Sequence, residues 1–310
     1  MAGGTLNEQD RIWVDLVDPD EEELTAALGG VEVHRTAWNL LVTPSRPDSD
    51  IRPTLRPDDA YVFGLFTMPA LRDGTDIEFR DIAVVLLPHR FITIRRTDDD
   101  GGRFRFEAAF ERIAPTLREP GLLLWQLMDD IAERYLDVVD EVDDRVDELE
   151  DHVESDHSLE TRRTIAALRG TMLRLRRSLG PLRDATRAVL DDRVEIEGHE
   201  LFSRDIEIHF AEVYDKFLRA TEGLDFARDL LAGVRDYHQA QIAVDQNEVM
   251  KRLAAVAGLL LLPTFIVGLY GQNLEGSPEM GWSWGYSFSW AVIIVTTVAQ
   301  FVWYRRKRWL

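Results

Sequence analysis

The chain has 310 residues, a formal net charge of −20 and no cysteine. This length is typical of about two domains. The acidic balance argues against a nucleic-acid partner, whose phosphates would be repelled, and suits a protein that attracts cations. Without cysteine the chain has no disulfide bond and no thiolate metal ligand. The N-terminal stretch contains no long apolar run, so we expect no cleavable signal peptide there.

The N-terminal region, residues 1–115, is predicted to form a cytoplasmic α/β domain. Its strand-like runs are rich in β-branched and aromatic residues, whereas several prolines between residues 44 and 57 predict an irregular stretch. The acidic sequence after Pro19 predicts a helix start, because acids favour the positive end of the helix dipole. The predicted strands are residues 11–15, 61–68, 82–87 and 91–95. Nothing here has the pattern of a catalytic site, and the chain is not expected to be an enzyme.

Residues 116–200 are predicted to form a hairpin of two oppositely charged helices. The first has an apolar stripe at intervals of three and four residues, and its other face is acidic. The second, about residues 159–179, is rich in arginine and is expected to end before Gly180 and Pro181. Two interpretations of the acidic face stay open: a solvated surface paired with the arginines, or a surface that senses divalent cations through carboxylates. The acidic residues are Asp129, Glu133, Asp137, Asp140, Asp144, Asp147 and Asp151.

A single long helix is predicted over residues 201–271, because no proline interrupts the helical pattern between about Ser203 and Pro263. Such a helix would be about 100 Å long at 1.5 Å per residue. Its last part, about residues 253–271, and a second stretch, residues 287–304, are uncharged and long enough to cross a bilayer. The expected fold is therefore an α+β membrane protein, whose very long stalk helix continues into the first of two C-terminal transmembrane helices.

Basic residues flank the two spans on one side, and this pattern predicts the orientation in the membrane. Lys251 and Arg252 precede the first span, and residues 305–310 form a basic tail. The loop between the spans, residues 272–286, contains Glu275 and Glu279 but no lysine or arginine. Both termini are therefore expected on the cytoplasmic side of the inner or plasma membrane, with the loop outside.

The membrane end of the long helix carries a seven-residue repeat of mostly small or polar residues. Such residues let membrane helices pack closely. Around a shared axis, Asp236, Asn247 and Thr264 would form rings of oxygen, and Met250 and Leu261 would form apolar constrictions. A chain with two spans cannot enclose a pore alone, so an oligomeric pore and a dimeric or trimeric anchor both stay open. The repeat consists of Asp236, Ala240, Ala243, Asn247, Met250, Ala254, Ala257, Leu261, Thr264, Gly268 and Gly271.

The same region is similar to a known family. The sequences at residues 247–251, 262–266 and 270–273 resemble the pore helix and signature of CorA-type divalent metal cation transporters, and the loop at 278–286 and the tail match the same family. The resemblance implies a homopentamer that conducts Mg²⁺, and in some members Co²⁺ or Ni²⁺, inward. We expect the membrane potential to drive this flow and intracellular Mg²⁺ to regulate it.

The resemblance also implies roles for individual residues. The implied positions are Gly271, Gln272 and Asn273 in an entrance filter, Asn247, Met250, Thr264 and Gly268 in the pore, Asp236 in an acidic ring, and Glu212 in a regulatory site. Glu275 and Glu279 are expected to raise the cation concentration at the mouth.

One filter residue departs from the family's pattern. The usual signature has methionine between glycine and asparagine, where this chain has Gln272, and relatives that move zinc also vary at that position. A zinc transporter of the same superfamily therefore stays an alternative. A membrane-anchored helical scaffold or sensor without transport is a second alternative, of a different class.

Overall fold

The computed structural model of the chain describes residues 12–42, 52–72, 74–97, 119–153, 159–272 and 281–310. The chain divides into two compact units, Met1–Arg235 and Asp236–Leu310. The boundary falls inside the longest helix, Arg204–Gly271, which is continuous over 68 residues. The long helix predicted from the sequence is therefore confirmed.

The first unit contains a mixed sheet. Its strands are β1 (Trp13–Val17), β2 (Thr54–Pro57), β3 (Val62–Arg72), β4 (Asp76–Leu87) and β5 (Arg90–Arg95). They lie in the order β1-β5-β4-β3-β2. β1 is parallel to β5, and the other neighbouring strands are antiparallel. The α/β character predicted for this region is therefore confirmed.

The sequence missed β2, which lies in the stretch that its prolines marked as irregular. Among the described strands, β2 is at the edge of the sheet and pairs with β3 alone. Proline has no backbone N–H to donate to a neighbouring strand. An inner strand has neighbours on both sides and needs such donors, whereas an edge strand tolerates proline. Pro57 at the end of β2 is therefore compatible with a strand in this position.

Alternate residues of the central strands face two separate apolar cores, because side chains in a strand alternate between the two faces of the sheet. Val84 joins one core and its neighbour Val85 joins the other. The core that contains Val85 is covered by α1 (Glu21–Leu28) and α2 (Arg35–Val42). The predicted start of α1 is confirmed: the carboxylate of Asp20 accepts a hydrogen bond from the backbone N–H of Glu23 at 2.8 Å.

Three long helices cover the other core, which contains Val84. They are α3 (Pro120–Val153), α4 (Leu159–Leu190) and the first part of α5 (Arg204–Gly271). The prediction that the second of these helices ends before Gly180 is wrong, since Pro181 lies inside α4. An internal proline costs roughly 3 kcal/mol. Leu182, Ala185 and Val189 beyond it are nevertheless buried, so packing of the continued apolar stripe outweighs the proline.

A buried cluster of three hydroxyl groups joins the sheet to two of these helices. Thr67 on β3 lies 3.1 Å from the hydroxyl of Tyr135 on α3 and 2.5 Å from that of Ser178 on α4. The Tyr135 and Ser178 hydroxyls are also 2.5 Å apart. Burial raises the pKa of Tyr135 above its ordinary value, although the hydrogen bonds to Ser178 and Thr67 act in the opposite direction. The three hydroxyl groups thus meet one another's need for hydrogen bonds inside an otherwise apolar core.

The second unit contains the end of α5 and a further helix, α6 (Gly285–Arg306). Both α5 and α6 are long and apolar enough to cross a membrane. No residue in the apolar window of α6 is fully buried by the rest of the chain. These two helices correspond to the two transmembrane helices predicted from the sequence.

Candidate functional site

The eleven residues of the seven-residue repeat, which we call the seam, form one open face of α5. All of them are exposed, from Asp236 to Gly271. Even the two large apolar members remain open, with Met250 at 63% and Leu261 at 71% exposure. One exposed apolar residue carries little information, but a continuous stripe of exposed residues is typical of a contact surface between copies or of a solvent path.

The opposite face of α5 is the one that packs within the hairpin. Ala255 is buried, and Gly258, Leu262 and Ile266 are half-buried. With 3.6 residues per turn, these positions lie between about a quarter and a half of a turn from the middle of the seam. The helix therefore uses one side to pack against its own chain and leaves the seam for other contacts.

The seam combines oxygen-bearing groups with gaps. The hydroxyl of Thr264 donates a hydrogen bond to the carbonyl of Leu260 at 2.7 Å, and its oxygen can still accept a hydrogen bond. At Gly268 and Gly271 a Cβ atom would meet nothing within 4 Å. Packing against the described residues thus does not require glycine at these two positions.

The predicted entrance filter lies at the end of α5. Gly271 is the last residue of the helix, and the Gln272 backbone N–H donates to the Leu269 carbonyl at 3.3 Å. Gln272 is exposed. Asn273, Glu275 and Glu279 lie outside the described residues.

The predicted regulatory residue and the acidic face lie in the first unit. Glu212 is on α5, where its side chain is exposed. Four aspartates of α3 are also exposed and form no ion pair with any described residue: Asp140, Asp144, Asp147 and Asp151. Within the described residues, no three His, Asp or Glu side chains are grouped so as to hold a metal ion.

The expected pairing between the α3 acids and the α4 arginines is wrong for two of these arginines. Arg174 pairs with Asp76 at 3.1 Å, and Arg176 pairs with Asp225 at 3.3 Å. Some acids of α3 pair with residues of other elements: Asp129, for example, lies 2.6 Å from Lys216 of α5.

The pKa of Asp143 shows the electrostatic effect of these exposed aspartates of α3. Burial raises the pKa of its carboxyl group, and the charges of Asp147, Asp144 and Asp140 raise it further. Negative charge is therefore crowded on this face of α3, and a bound cation would relieve the repulsion.

Sequence reasoning missed a close contact between the two apolar helices. Gly258 of α5 lies against the hydroxyl of Tyr304 on α6, and the Gln300 side-chain amide donates to that hydroxyl at 2.9 Å. A signal was available, because a polar residue such as Gln300 inside an apolar span is typical of a helix contact or functional site.

We expect Gly258→Val to weaken the hairpin, because a side chain at this position would displace Tyr304 and break its hydrogen bond with Gln300. The thermal midpoint of the purified chain in detergent should fall by several degrees, since a loss of about 1–3 kcal/mol is typical of overpacking. Gly233→Val is a matched control, because a Cβ at Gly233 would meet nothing within 4 Å. Equal effects of the two changes would show that the Gly258 contact is unimportant.

The chain combines a unit that contains a sheet with two helices that are long and apolar enough to cross a membrane, and this combination is typical of a membrane protein with a soluble domain. The family described as CorA-like Mg2+ transporter protein matches residues 8–306. The chain therefore belongs to this family, as the resemblance implied. Membership of a family of transporters also agrees with the expectation that the chain is not an enzyme.

Individual relatives cover the chain to different extents. A cobalt/magnesium transport protein CorA from Thermotoga maritima is 31% identical over 188 residues, which make up 61% of this chain and 52% of that protein. A magnesium transport protein CorA from Salmonella typhimurium is 25% identical over 323 residues, with 97% and 92% coverage. The chain thus matches about half the length of the first relative and most of the second.

Likeness to a solved structure supports the fold over nearly the whole chain. The complete structure of the CorA magnesium transporter from Methanocaldococcus jannaschii has a TM-score of 0.75 and 20% identity, and covers 96% of this chain and 91% of that one. The predicted architecture of an α/β domain, a long helix and two C-terminal apolar helices is confirmed by this comparison.

Proposed function

We propose that copies of this chain assemble around their seams, as a pentamer, into a channel-like transporter of divalent cations. The observation that carries the proposal is the seam, whose small and oxygen-bearing residues are all exposed while the opposite face of α5 packs in the hairpin. The two relatives are named as magnesium and cobalt transport proteins, which favours Mg²⁺ and Co²⁺ as cargo. Ni²⁺ is the third ion that we expect to pass.

The seam residues would form successive rings along the axis of this assembly. Asp236, Asn247 and Thr264 present oxygens, which are the ligands that Mg²⁺ prefers. Gly268 leaves room for the ion and its water shell. Met250 and Leu261 would narrow the path to apolar rings, and such constrictions close a pore by excluding water.

The entrance would bind the ion with its water shell. Mg²⁺ gives up water reluctantly, so the side-chain oxygens of Gln272 and Asn273 are expected to contact it through that water. Gly271 lets the backbone approach closely, and Glu275 and Glu279 raise the local cation concentration. Because Gln272 is longer than asparagine and more polar than methionine, we expect it to affect the choice of ion.

The membrane potential is sufficient to drive the transport. A charge gains about 2.3 kcal/mol per 100 mV, so a divalent cation gains about 4.6 kcal/mol. The basic residues on one side of both spans favour cytoplasmic termini, which places the mouth outside and the flow inward, across the inner or plasma membrane.

Regulation would come from intracellular cations on the acidic surfaces of the first unit. The exposed aspartates of α3 and Glu212 are available to bind Mg²⁺ directly or through water. While cations bridge such surfaces between copies, the assembly stays closed. When the cations leave, repulsion between like charges separates the copies and opens the apolar rings, so the transported ion limits its own uptake.

Asn273→Ala tests the proposal. In liposomes with an imposed inside-negative potential, uptake of Mg²⁺ should fall at least about tenfold, because the ring of amide oxygens that holds the hydrated ion is lost. Asn39→Ala is the matched control, since Asn39 is exposed on α2. Unchanged uptake by Asn273→Ala would exclude the filter assignment.

The alternatives differ in what the same assay would show. A zinc transporter would take up Zn²⁺ in preference to Mg²⁺, Co²⁺ and Ni²⁺. A scaffold or sensor would assemble but give no potential-dependent flux of any of these ions.

A further inference from the structure

The last helix ends in a compact basic turn, which we define as residues 304–309. The backbone N–H of Arg308 donates to the carbonyl of Arg305 at 3.2 Å, and that of Trp309 donates to the carbonyl of Tyr304 at 3.0 Å. Arg308 itself is in the left-handed region, with φ +56°. These features define a Schellman motif, in which the left-handed position is usually glycine.

Stacked aromatic rings hold this turn in place. The Trp309 and Tyr304 rings are almost parallel, with centroids 5.7 Å apart and an angle of 10° between them. The Trp303 ring lies 5.9 Å from that of Trp309. The left-handed conformation is less favourable for arginine than for glycine, because the Cβ atom approaches the carbonyl oxygen. The turn nevertheless places an arginine there, which points to a use for its charge.

The positive charges of the turn are available for an external partner. Its basic residues are exposed and form no ion pair with a carboxylate in the described part of the chain: Arg305, Arg306, Lys307 and Arg308. Tyr304 contacts Gly258 of α5, and α5 and α6 run in opposite directions in this hairpin. Lys251, about two helical turns before Gly258, therefore lies at about the level of the turn and adds to its charge. Arg252 is also near this level, but it pairs with Glu248 at 3.4 Å.

We propose that the basic turn binds the phosphodiester headgroup of an anionic phospholipid. Guanidinium groups bind phosphate oxygens through two parallel hydrogen bonds, and tryptophan and tyrosine rings favour the headgroup level of a bilayer. The proposal rests on the membrane insertion assumed in the proposed function, but not on ion conduction. Basic residues that serve only to fix the orientation of a helix in the membrane would need neither the ordered turn nor the stacked rings.

Lipid competition on the purified full chain tests this proposal. In micelles that contain equal amounts of phosphatidylglycerol and phosphatidylcholine, native mass spectrometry should show phosphatidylglycerol retained selectively. Removing two cations in the double variant Arg306→Gln and Arg308→Gln should weaken that retention about 25-fold, at about fivefold for each charge near an anionic surface. The matched control removes the same charge from α4, with Arg162→Gln and Arg163→Gln, and should leave retention unchanged.

A further variant and a competition experiment distinguish a structured binding site from attraction by charge alone. Trp309→Ala keeps every cation but removes the stacked ring, and should also reduce selectivity. Equal retention of both lipids by the unaltered chain, an equal loss in the α4 control, or full selectivity in Trp309→Ala would each overturn the proposal. Displacement of the lipid by excess inorganic phosphate would show a site for free phosphate instead. Cation uptake is measured separately, so its absence would contradict the proposed function without altering the lipid result.

Discussion

Gly268→Leu is expected to abolish cation uptake while the fold of each chain stays intact. In the described part of the chain a Cβ atom at this position meets nothing within 4 Å, and leucine favours the helix over glycine by about 0.8–1 kcal/mol. In a ring of copies, however, the added side chains would fill the space that the glycines leave around the axis. Uptake in liposomes should therefore fall to the background of empty vesicles.

The oligomeric state must be measured together with the cation flux. The two interpretations of the seam, a pore and a packing surface of a membrane anchor, predict different oligomeric states for this variant. Lost uptake with an unchanged oligomer would support the path along the seam. Loss of the oligomer would instead show that Gly268 serves close packing, as in a membrane anchor. Ala291→Leu, at an exposed position on α6, is the matched control and should retain uptake.

Asp15→Ala is expected to be the most destabilising of the changes considered in the first unit. Asp15 on β1 accepts hydrogen bonds from Nε of Arg95 at 3.1 Å and from the hydroxyl of Thr93 at 2.7 Å. Arg95 is only 4% exposed, so loss of this carboxylate removes a counter-charge from a buried guanidinium. Breaking a buried pair in this way costs about 3–5 kcal/mol.

Hydrogen exchange of β5 in the full chain measures this loss. For amides that exchange through unfolding of the first unit, a change of about 3–5 kcal/mol corresponds to about two to nearly four powers of ten in rate. Asp184→Ala removes a carboxylate that is 71% exposed and 3.7 Å from Arg183, and such surface pairs contribute about 0–1 kcal/mol. Similar exchange in the two variants would show that the Asp15–Arg95 pair is dispensable.

The elements that the sequence predicted well depend on local signals. The long helix and the apolar spans follow from uncharged runs and from the absence of proline between Ser203 and Pro263. By contrast, α4 continues through Pro181 because distant residues bury its far end, and β2 exists because β3 offers it an edge. Neither of these contacts is visible in a local pattern.

The candidate site shows the same division. The seven-residue spacing placed the seam residues on one face of a helix. That this face is exposed near the membrane end depends on where α6 packs. The contact of Gly258 with Tyr304 joins residues that are distant in the sequence, so only Gln300 hinted at it. Likewise, the charges of α3 and α4 suggested mutual pairing, whereas Arg174 and Arg176 have geometrically closer partners on β4 and α5.

The hydrogen bond within the helix at Thr264 has a consequence for biogenesis. Because the hydroxyl proton is satisfied by the carbonyl of Leu260, and because Ala257 and Gly268 have no polar side-chain group, this face offers lipid no unsatisfied donor. A single copy would therefore insert without the cost of an unpaired side-chain donor at these positions. If copies assemble as proposed, insertion of a chain and its association with other copies can therefore be separate events.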